Sequence, residues 1–211
     1  MKNISSMIQG KSHVLWDFNG TLLDDAHLCV KSVNVLLTEA QLPVITLADY
    51  HQKFTFPVRD YYKDLGFDME TADFAALSEQ FHDLYHSWLD EAEIFPGTFE
   101  VLQELAHLNH HVLSAANIHD LHRMIDKFGL KPHFKSVYGL GDRLAHSKVE
   151  LGRELLRTQE LDPRECVMFG DTLHDLEVGE ALGLDVILVT GGHQHVDRLK
   201  TRAPRIWTRG G

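Results

Sequence analysis

Three apolar runs of the chain each end at a residue that can take part in chemistry. These residues are Asp17 after positions 14–16, Ser114 after positions 112–113, and Asp171 after positions 167–170. Short apolar runs of this kind are typical of buried parallel strands, and ligands of an open parallel sheet bind beyond the carboxyl ends of its strands. We therefore expect the three side chains to meet at one edge of a sheet.

The residues at these strand ends fit the transfer of a phosphoryl group. Asp17 is a candidate nucleophile, and Ser114 supplies a hydroxyl. Asp171 and Asp175 form an acidic pair, and Lys148 opens the helix before the last of these strands. A carboxylate attacks phosphorus only when the phosphate charge is neutralised, which requires a cation, a lysine and directed hydrogen bonds. Mg²⁺ prefers a few carboxylates with water and substrate oxygens, and Asp17 and Asp171 are candidate ligands.

Four motifs of the chain resemble those of the haloacid dehalogenase superfamily of phosphohydrolases. They are DFNGTLLDD at positions 17–25, VLSAAN at 112–117, Lys148, and FGDTLHD at 169–175. Their order and their placement at strand ends match the family's, and the resemblance covers nearly the whole chain. Asn19 in the first motif resembles a phosphoglycolate-phosphatase-like branch that reads WDxNGTLLDD.

The resemblance implies a Mg²⁺-dependent phosphatase that forms an aspartyl-phosphate on Asp17. It implies metal ligation by Asp17, by the backbone carbonyl of Asn19 and by Asp171, with Asp175 just beyond the direct ligands. It implies phosphate binding by Asn19, Gly20, Ser114, Ala115 and Lys148. The catalytic residues that it implies are Asp17, Asn19 and Lys148.

Asn19 departs from the usual pattern of the family. Phosphatases of this family usually carry a second aspartate at this position, which protonates the leaving oxygen and then activates water. An amide forms hydrogen bonds but does not transfer a proton near pH 7. Three alternatives stay open: Asp24, Asp25 or a substrate group carries the proton, the leaving group needs none, or turnover is slow.

Strand and helix patterns alternate along the chain, which indicates a parallel sheet covered on both faces. Strands are predicted at 13–16, 111–114, 136–138, 166–170 and 186–189, with 205–207 as a further candidate. Helices are predicted at 98–108, 120–128, 148–157 and 175–182, and only helices are predicted between 24 and 92. We predict an α/β fold with a Rossmann-like, doubly wound parallel sheet from residues 1–23 and 93–211, and an inserted α-helical cap at 24–92.

Composition narrows the class of protein. The 211 residues suffice for one α/β core with an insert, and 44% hydrophobic with 24% charged residues is ordinary globular usage. A net charge of −11 counts against nucleic-acid binding, although a bound cation reverses the field around an acidic site. The polar first residues predict neither a secretory signal nor a membrane anchor. We expect a cytoplasmic monomer or dimer that acts on a small phosphorylated substrate, phosphoglycolate-like or a sugar phosphate, and that has no nucleic-acid or membrane partner.

Cysteine and histidine are expected to play minor parts. Cys29 and Cys166 are far apart in sequence and are predicted to be reduced packing residues. The fifteen histidines cluster at 107–111 and 193–195 without the spacing of a zinc site, and are predicted to be solvated or locally bonded.

Two other functions remain as alternatives to a phosphatase. The first is carbon–halogen or carbon–phosphorus cleavage on the same fold. The acidic pair argues against a metal-free dehalogenase, and carbon–phosphorus cleavage requires a Schiff-base lysine, for which Lys31, Lys53 and Lys63 are the candidates. The second alternative is a weakly catalytic phosphate-binding protein that has lost turnover through Asn19.

Overall fold

The computed structural model describes residues 4–141 and 147–209, and its centre is a six-stranded parallel sheet in the order β5-β4-β1-β6-β7-β8. The strands are β1 (His13–Trp16), β2 (Leu23–Asp24), β3 (Glu93–Ile94), β4 (Asn109–Asn117), β5 (Ser136–Leu140), β6 (Cys166–Gly170), β7 (Asp185–Val189) and β8 (Ile206–Trp207). Strands β2 and β3 form a separate antiparallel ribbon. The predicted α/β fold is confirmed.

Helices cover both faces of the sheet and form the insert. They are α1 (Ile4–Met7), α2 (Ala26–Glu39), α3 (Leu47–Lys53), α4 (Val58–Asp64), α5 (Phe74–Trp88), α6 (Thr98–Glu104), α7 (Ile118–Lys127), α8 (Lys148–Thr158), α9 (Leu173–Leu182) and α10 (Val196–Leu199). Successive strand residues point to opposite faces, so Trp16 and Phe169 enter one core cluster while Leu15 and Met168 enter the other.

Helices α2 to α5 form a unit with a hydrophobic cluster of their own. This cluster contains Val33, Leu36 and Leu37 from α2, with Tyr61 and Tyr62 from α4. The ribbon of β2 and β3 places both connections of this unit to the sheet side by side. The predicted cap boundary at 23/24 falls within β2, and the one at 92/93 directly precedes β3.

Element boundaries differ from prediction mainly at the ends. Residues predicted to be a polar tail include α1, and Ile4 and Ile8 are buried in the main core. Strand β4 starts two residues before the predicted strand and ends three residues after it. Its prediction was too short because histidines and asparagines at its ends hide the strand pattern. Helix α3 begins with a capping box between Thr46 and Asp49.

Two histidines of β4 are buried, so the prediction of solvated rings was wrong for them. Trp16 Nε1 donates to His110 Nδ1 at 2.9 Å, and His110 Nε2 lies 2.9 Å from the carbonyl of Leu105. His111 Nδ1 lies 2.7 Å from Ser136 Oγ. These rings complete hydrogen bonds inside the sheet, which agrees with the other half of the prediction, local bonding.

Cys29 and Cys166 are buried free thiols, as predicted. Across the described ranges, the helices are all too short or too polar to cross a bilayer.

Candidate active site

Asp17 lies at the carboxyl end of the central strand β1 and is buried. Its backbone N–H donates to the carbonyl of Phe169 at 2.8 Å, which continues the pairing of β1 with β6. Lys148, the first residue of α8, donates from Nζ to Asp17 Oδ1 and, at 2.6 Å, to Asp175 Oδ1. A capping box between Ser147 and Glu150 makes α8 begin at Lys148, and this fixes the position of the lysine backbone.

Three buried carboxylates meet at this edge of the sheet. One oxygen from each of Asp17, Asp171 and Asp175 lies within 4.8 Å of the others. Hard oxygen donors of this kind suit Mg²⁺, so the donor set fits the cation that the sequence predicts. The cluster can hold a metal ion.

Asp171 is held by two elements that the sheet brings together. Thr21 Oγ1 donates to Asp171 Oδ1 at 3.1 Å, and the backbone N–H of His193 donates to Asp171 Oδ2 at 2.5 Å. A Cβ added at Gly192 would overlap this carboxylate, so the loop after β7 requires glycine there to approach it.

Asp175 is oriented from the N-terminus of α9. Its Oδ2 accepts from Thr172 Oγ1 at 2.7 Å and from the N–H groups of Thr172 and Asp171 at 3.0 and 3.2 Å. Its other oxygen accepts from Lys148. Asp175 therefore links the lysine to the loop that carries Asp171.

Burial and charge set the protonation of the cluster. Burial raises the pKa of Asp17 to about 7, against the lowering effect of Lys148, and raises the pKa of Asp171 to about 6. The pKa of Asp175 is lowered because Lys148 and Thr172 outweigh its burial. The pKa of Lys148 is raised by both carboxylates, so the ammonium stays charged.

The predicted phosphate-binding residues are only partly brought together. Ser114 and Ala115 of β4 line the same cavity as Asp17 and Lys148. The Ser114 hydroxyl accepts from the N–H of Ala116 at 3.0 Å. Gly20 does not line this cavity, and its N–H donates to Leu23 O at 2.8 Å and to Asp25 Oδ1 at 2.9 Å. Because the turn uses this N–H internally, the structure does not support Gly20 as a phosphate donor.

The Asn19 side chain faces the cap. Its amide Nδ2 donates to Asp25 Oδ2 and to the Tyr85 hydroxyl, each at 2.8 Å, and that hydroxyl donates to the same carboxylate oxygen at 2.6 Å. Both amide protons are therefore used between the core loop and helix α5.

Asp25 is buried and negatively charged. His193 Nε2 lies 3.5 Å from Asp25 Oδ1, and the His193 imidazole together with hydrogen bonds from Tyr85 and Asn19 lowers the pKa of Asp25 despite its burial. The pKa of His193 is raised to about 9 by Asp25, which outweighs its own burial. A carboxyl with a lowered pKa is a poor proton donor, so Asp25 does not suit the role of replacement acid. Asp24 lies on β2 and does not line the cavity.

Sequence reasoning missed His193, Tyr50 and Tyr85. His193 was predicted to be solvated or locally bonded, but it is buried, and its Nδ1 lies 3.0 Å from the Tyr50 hydroxyl in the cap. The available signal was Gly191-Gly192 directly after an apolar strand, which indicates a close backbone approach. The two tyrosines carried no local signal.

A cavity of about 630 Å³ lies between the acidic cluster and the cap. Cap aromatics, including Phe54, Phe56, Tyr61 and Tyr62, line it, whereas Trp88 packs against the main core. Arg59 of the cap donates to the carbonyl of Met69 at 2.7 Å and does not line the cavity.

Comparisons with known proteins agree with this architecture. The family model of the haloacid dehalogenase-like hydrolases matches residues 14–189. The chain is 28% identical over 196 residues to a 5′-nucleotidase of Pseudomonas aeruginosa, covering 91% of this chain and 88% of the relative. It is 26% identical over 190 residues to a phosphoglycolate phosphatase of Caulobacter vibrioides, covering 85% and 79%.

A solved structure shares the fold. A haloacid dehalogenase-like hydrolase from Streptococcus pneumoniae superposes with a TM-score of 0.81 at 17% identity, over 95% of this chain and 94% of that one. The fold of this chain is therefore one already seen in a solved structure.

Proposed function

Because the chain belongs to the haloacid dehalogenase-like hydrolase family, we propose that it is a Mg²⁺-dependent phosphomonoesterase whose nucleophile is Asp17. The observation that carries this proposal is the buried ammonium of Lys148 between Asp17 and Asp175, beside Asp171. Phosphoryl transfer of this kind requires a nucleophilic carboxylate, a fixed positive charge and a group of carboxylates that can bind a divalent ion. The names of the two curated relatives, a nucleotidase and a phosphoglycolate phosphatase, support the same reaction class.

The reaction proceeds in two displacements at phosphorus. A carboxylate oxygen of Asp17 bonds to phosphorus, and the bond from phosphorus to the ester oxygen breaks with its electron pair on the leaving group. Water then attacks the aspartyl-phosphate at phosphorus, which releases inorganic phosphate and restores Asp17. Lys148 stabilises negative charge on Asp17 and on the phosphoryl oxygens, and Ser114 donates its hydroxyl proton to them. When bound, Mg²⁺ supplies neutralisation of phosphate charge at Asp17 and Asp171.

The leaving oxygen receives no proton from Asn19. Both amide protons are donated to Asp25 and Tyr85, and an amide is not an acid near pH 7. Phosphate esters with stabilised leaving groups, or esters that carry their own proton donor, are therefore the better substrates. Phosphoglycolate and sugar phosphates, predicted from the sequence, belong in the same test.

The alternative reactions find less support in the site. A Schiff-base lysine in the cap is required for carbon–phosphorus cleavage, and Lys148 is the one lysine on the cavity lining in the part of the chain that the structure describes. Lys31 pairs with Glu91 at 2.8 Å on the surface. A metal-free dehalogenase would have no use for Asp171 and Asp175 as a buried acidic pair.

The setting of the reaction remains as the sequence predicts it. We propose a cytoplasmic enzyme, a monomer or dimer, that acts on small phosphorylated molecules and on neither nucleic acid nor membranes. The net charge of −11 supports the exclusion of nucleic acid as a partner.

Phosphate release from a panel of phosphomonoesters tests the proposal. We expect release with Mg²⁺, none with EDTA, and none from Asp17→Asn, with Asp126→Asn on the surface as the matched control. Phosphate release that survives full chelation would contradict the Mg²⁺ dependence, whereas halide release from a haloacid under full chelation would favour the dehalogenase-type alternative. Tight binding of phosphate without any release would favour the weakly catalytic binding protein.

A further inference from the structure

The cavity above Asp17 is walled by aromatic rings of the cap. Tyr50 and Phe54 stack with centroids 4.9 Å apart, and Tyr61 meets Phe54 edge to face at 5.4 Å. Phe56 stacks on His174 of the core helix α9 at 4.5 Å, which continues this wall to the sheet. All five rings line the cavity. Flat aromatic surfaces favour a flat, unsaturated guest through stacked and edge-to-face contacts.

The volume of the cavity exceeds what a small acid phosphate fills. Its 630 Å³ falls within the range of roughly 300–1,000 Å³ that is typical of small-molecule sites. A leaving group as small as glycolate would leave most of this volume to water. A ring-sized leaving group would displace that water from beside the aromatic wall.

The wall offers little for a second negative charge. In the described parts of the lining, Lys148 is the single lysine or arginine, and its ammonium is taken up by two carboxylates. Five histidines line the cavity, and three of them, His86, His174 and His193, each lie 2.8 to 3.7 Å from a carboxylate of the protein. The wall therefore favours an uncharged leaving group.

One polar atom of the wall lacks a partner within the described chain. The Tyr61 side chain is 2% exposed, and its hydroxyl makes no hydrogen bond. An unsatisfied buried hydroxyl is costly, and a ligand that displaced the side chains covering its oxygen and accepted from it would remove that cost. Burial raises the pKa of Tyr61, so the hydroxyl keeps its proton as a donor.

From the aromatic wall, the lack of an unpaired lysine or arginine among the described lining residues and the unpartnered Tyr61 hydroxyl, we infer that the substrate is a phosphomonoester whose leaving group carries a planar, uncharged ring with a hydrogen-bond acceptor. This inference rests on the proposed function for the reaction and names its substrate class. Tyr61 is the specificity residue that donates to the ring acceptor.

A matched pair of synthetic esters isolates the planarity of the ring. Benzyl phosphate and cyclohexylmethyl phosphate are similar in size and leaving group, but only the first is flat. We expect benzyl phosphate to exceed cyclohexylmethyl phosphate, whose leaving alkoxide is equally unstabilised, by at least tenfold in kcat/KM with Mg²⁺. We expect Asp17→Asn, measured calorimetrically without turnover, to bind benzyl phosphate more tightly than cyclohexylmethyl phosphate or phosphoglycolate. A kcat/KM ratio near one for the first two esters, or tighter binding of phosphoglycolate, overturns the inference.

The acceptor is tested with the three pyridinylmethyl phosphate isomers, which add one ring nitrogen to benzyl phosphate. We expect one isomer to exceed benzyl phosphate by about tenfold and this gain to disappear in Tyr61→Phe, mainly through KM. The matched control is Tyr138→Phe. The Tyr138 hydroxyl accepts a hydrogen bond from Gln159 Nε2 at 3.5 Å, and Tyr138 does not line the cavity. If Tyr61→Phe and the native protein prefer the best pyridinylmethyl isomer over benzyl phosphate by the same factor, Tyr61 is not the donor to the ring.

The two measurements separate this inference from the proposed function. Hydrolysis of all esters without ring preference leaves the phosphatase standing and overturns the ring site. Ring-selective binding to Asp17→Asn without any hydrolysis by the native protein leaves the ring site standing and overturns the phosphatase. If the native protein neither binds nor hydrolyses any of these esters, both are wrong.

Discussion

The side-chain amide of Asn19 donates to the carboxylate of Asp25 at 2.8 Å, Nδ2 to Oδ2. Asn19 belongs to the core loop that follows the nucleophile strand, whereas Asp25 directly precedes the first cap helix. Tyr85 on α5 completes a triangle with both residues. An ionised aspartate at position 19 has no proton to donate, so it could not form the hydrogen bonds that Asn19 donates to Asp25 and Tyr85. The amide is therefore matched to the cap and is not simply a lost acid.

Restoring the acid by Asn19→Asp is expected to destabilise the protein and to leave kcat within a few-fold of native. The new carboxylate would face the buried Asp25 carboxylate and lose two donated hydrogen bonds, at a cost of about 1–3 kcal/mol. Urea unfolding and steady-state phosphate release measure the two effects. Asn117→Asp is the stability control, because its side-chain oxygen caps α7 and aspartate caps equally well. A gain of tenfold or more in kcat at native stability would contradict this account.

Lys148→Met is expected to abolish activity and to lower the free energy of unfolding by about 3–5 kcal/mol at pH 8. The loss arises because Asp17 and Asp175 are left as buried charges without their cation. In the double variant with Asp17→Asn, one of these charges is absent, so part of the stability should return.

The control for this change is Lys200→Met, which removes an exposed ion pair with Asp197 worth at most about 1 kcal/mol. Additive losses in the double variant would show that Lys148 and Asp17 do not interact in the folded protein.

Mg²⁺ is expected to raise the melting temperature of the native protein. Binding to the folded state alone adds about 2.7 kcal/mol at a concentration one hundred times Kd. In Asp171→Asn we expect this Mg²⁺ response to be absent. Without metal, Asp171→Asn should have a higher melting temperature than the native protein, because the substitution relieves repulsion among three buried carboxylates. Differential scanning calorimetry with and without Mg²⁺ measures both shifts, and Asp126→Asn on the surface serves as the control. An undiminished Mg²⁺ response in Asp171→Asn would place the metal elsewhere.

Much of the acidic centre follows from local pattern, whereas its surroundings do not. Asp17, Ser114 and Asp171 each follow an apolar strand, and the carboxyl ends of parallel strands meet at one edge whatever the loops do. Tyr85 and His193 reach the site from elements distant in sequence. Their positions depend on how the cap rests on the core, which no short-range periodicity encodes.

The loss of unfolding free energy at acidic pH is expected to depend on His111 of the central sheet. Burial lowers the pKa of this ring to about 4, from the value of 6.5 that it has when unfolded. Between these values the unfolded chain binds the proton more strongly, so the ring's contribution to stability is complete above pH 6.5 and is lost as the pH falls through 4. Between pH 6.5 and pH 4 the native protein should therefore lose about 2 kcal/mol more free energy of unfolding than His111→Gln, after allowance for solvent screening. Glutamine preserves a hydrogen bond to Ser136 but does not titrate.

Unfolding in urea at intervals from pH 7.5 to pH 4 measures this difference. His122→Gln, on the exposed face of α7, is the matched control and should follow the native curve. The native protein and His111→Gln should separate progressively below pH 6.5, with the native protein losing stability faster. Parallel curves for these two proteins would show that His111 takes up its proton without cost in the folded sheet, and would assign the acid sensitivity to other groups.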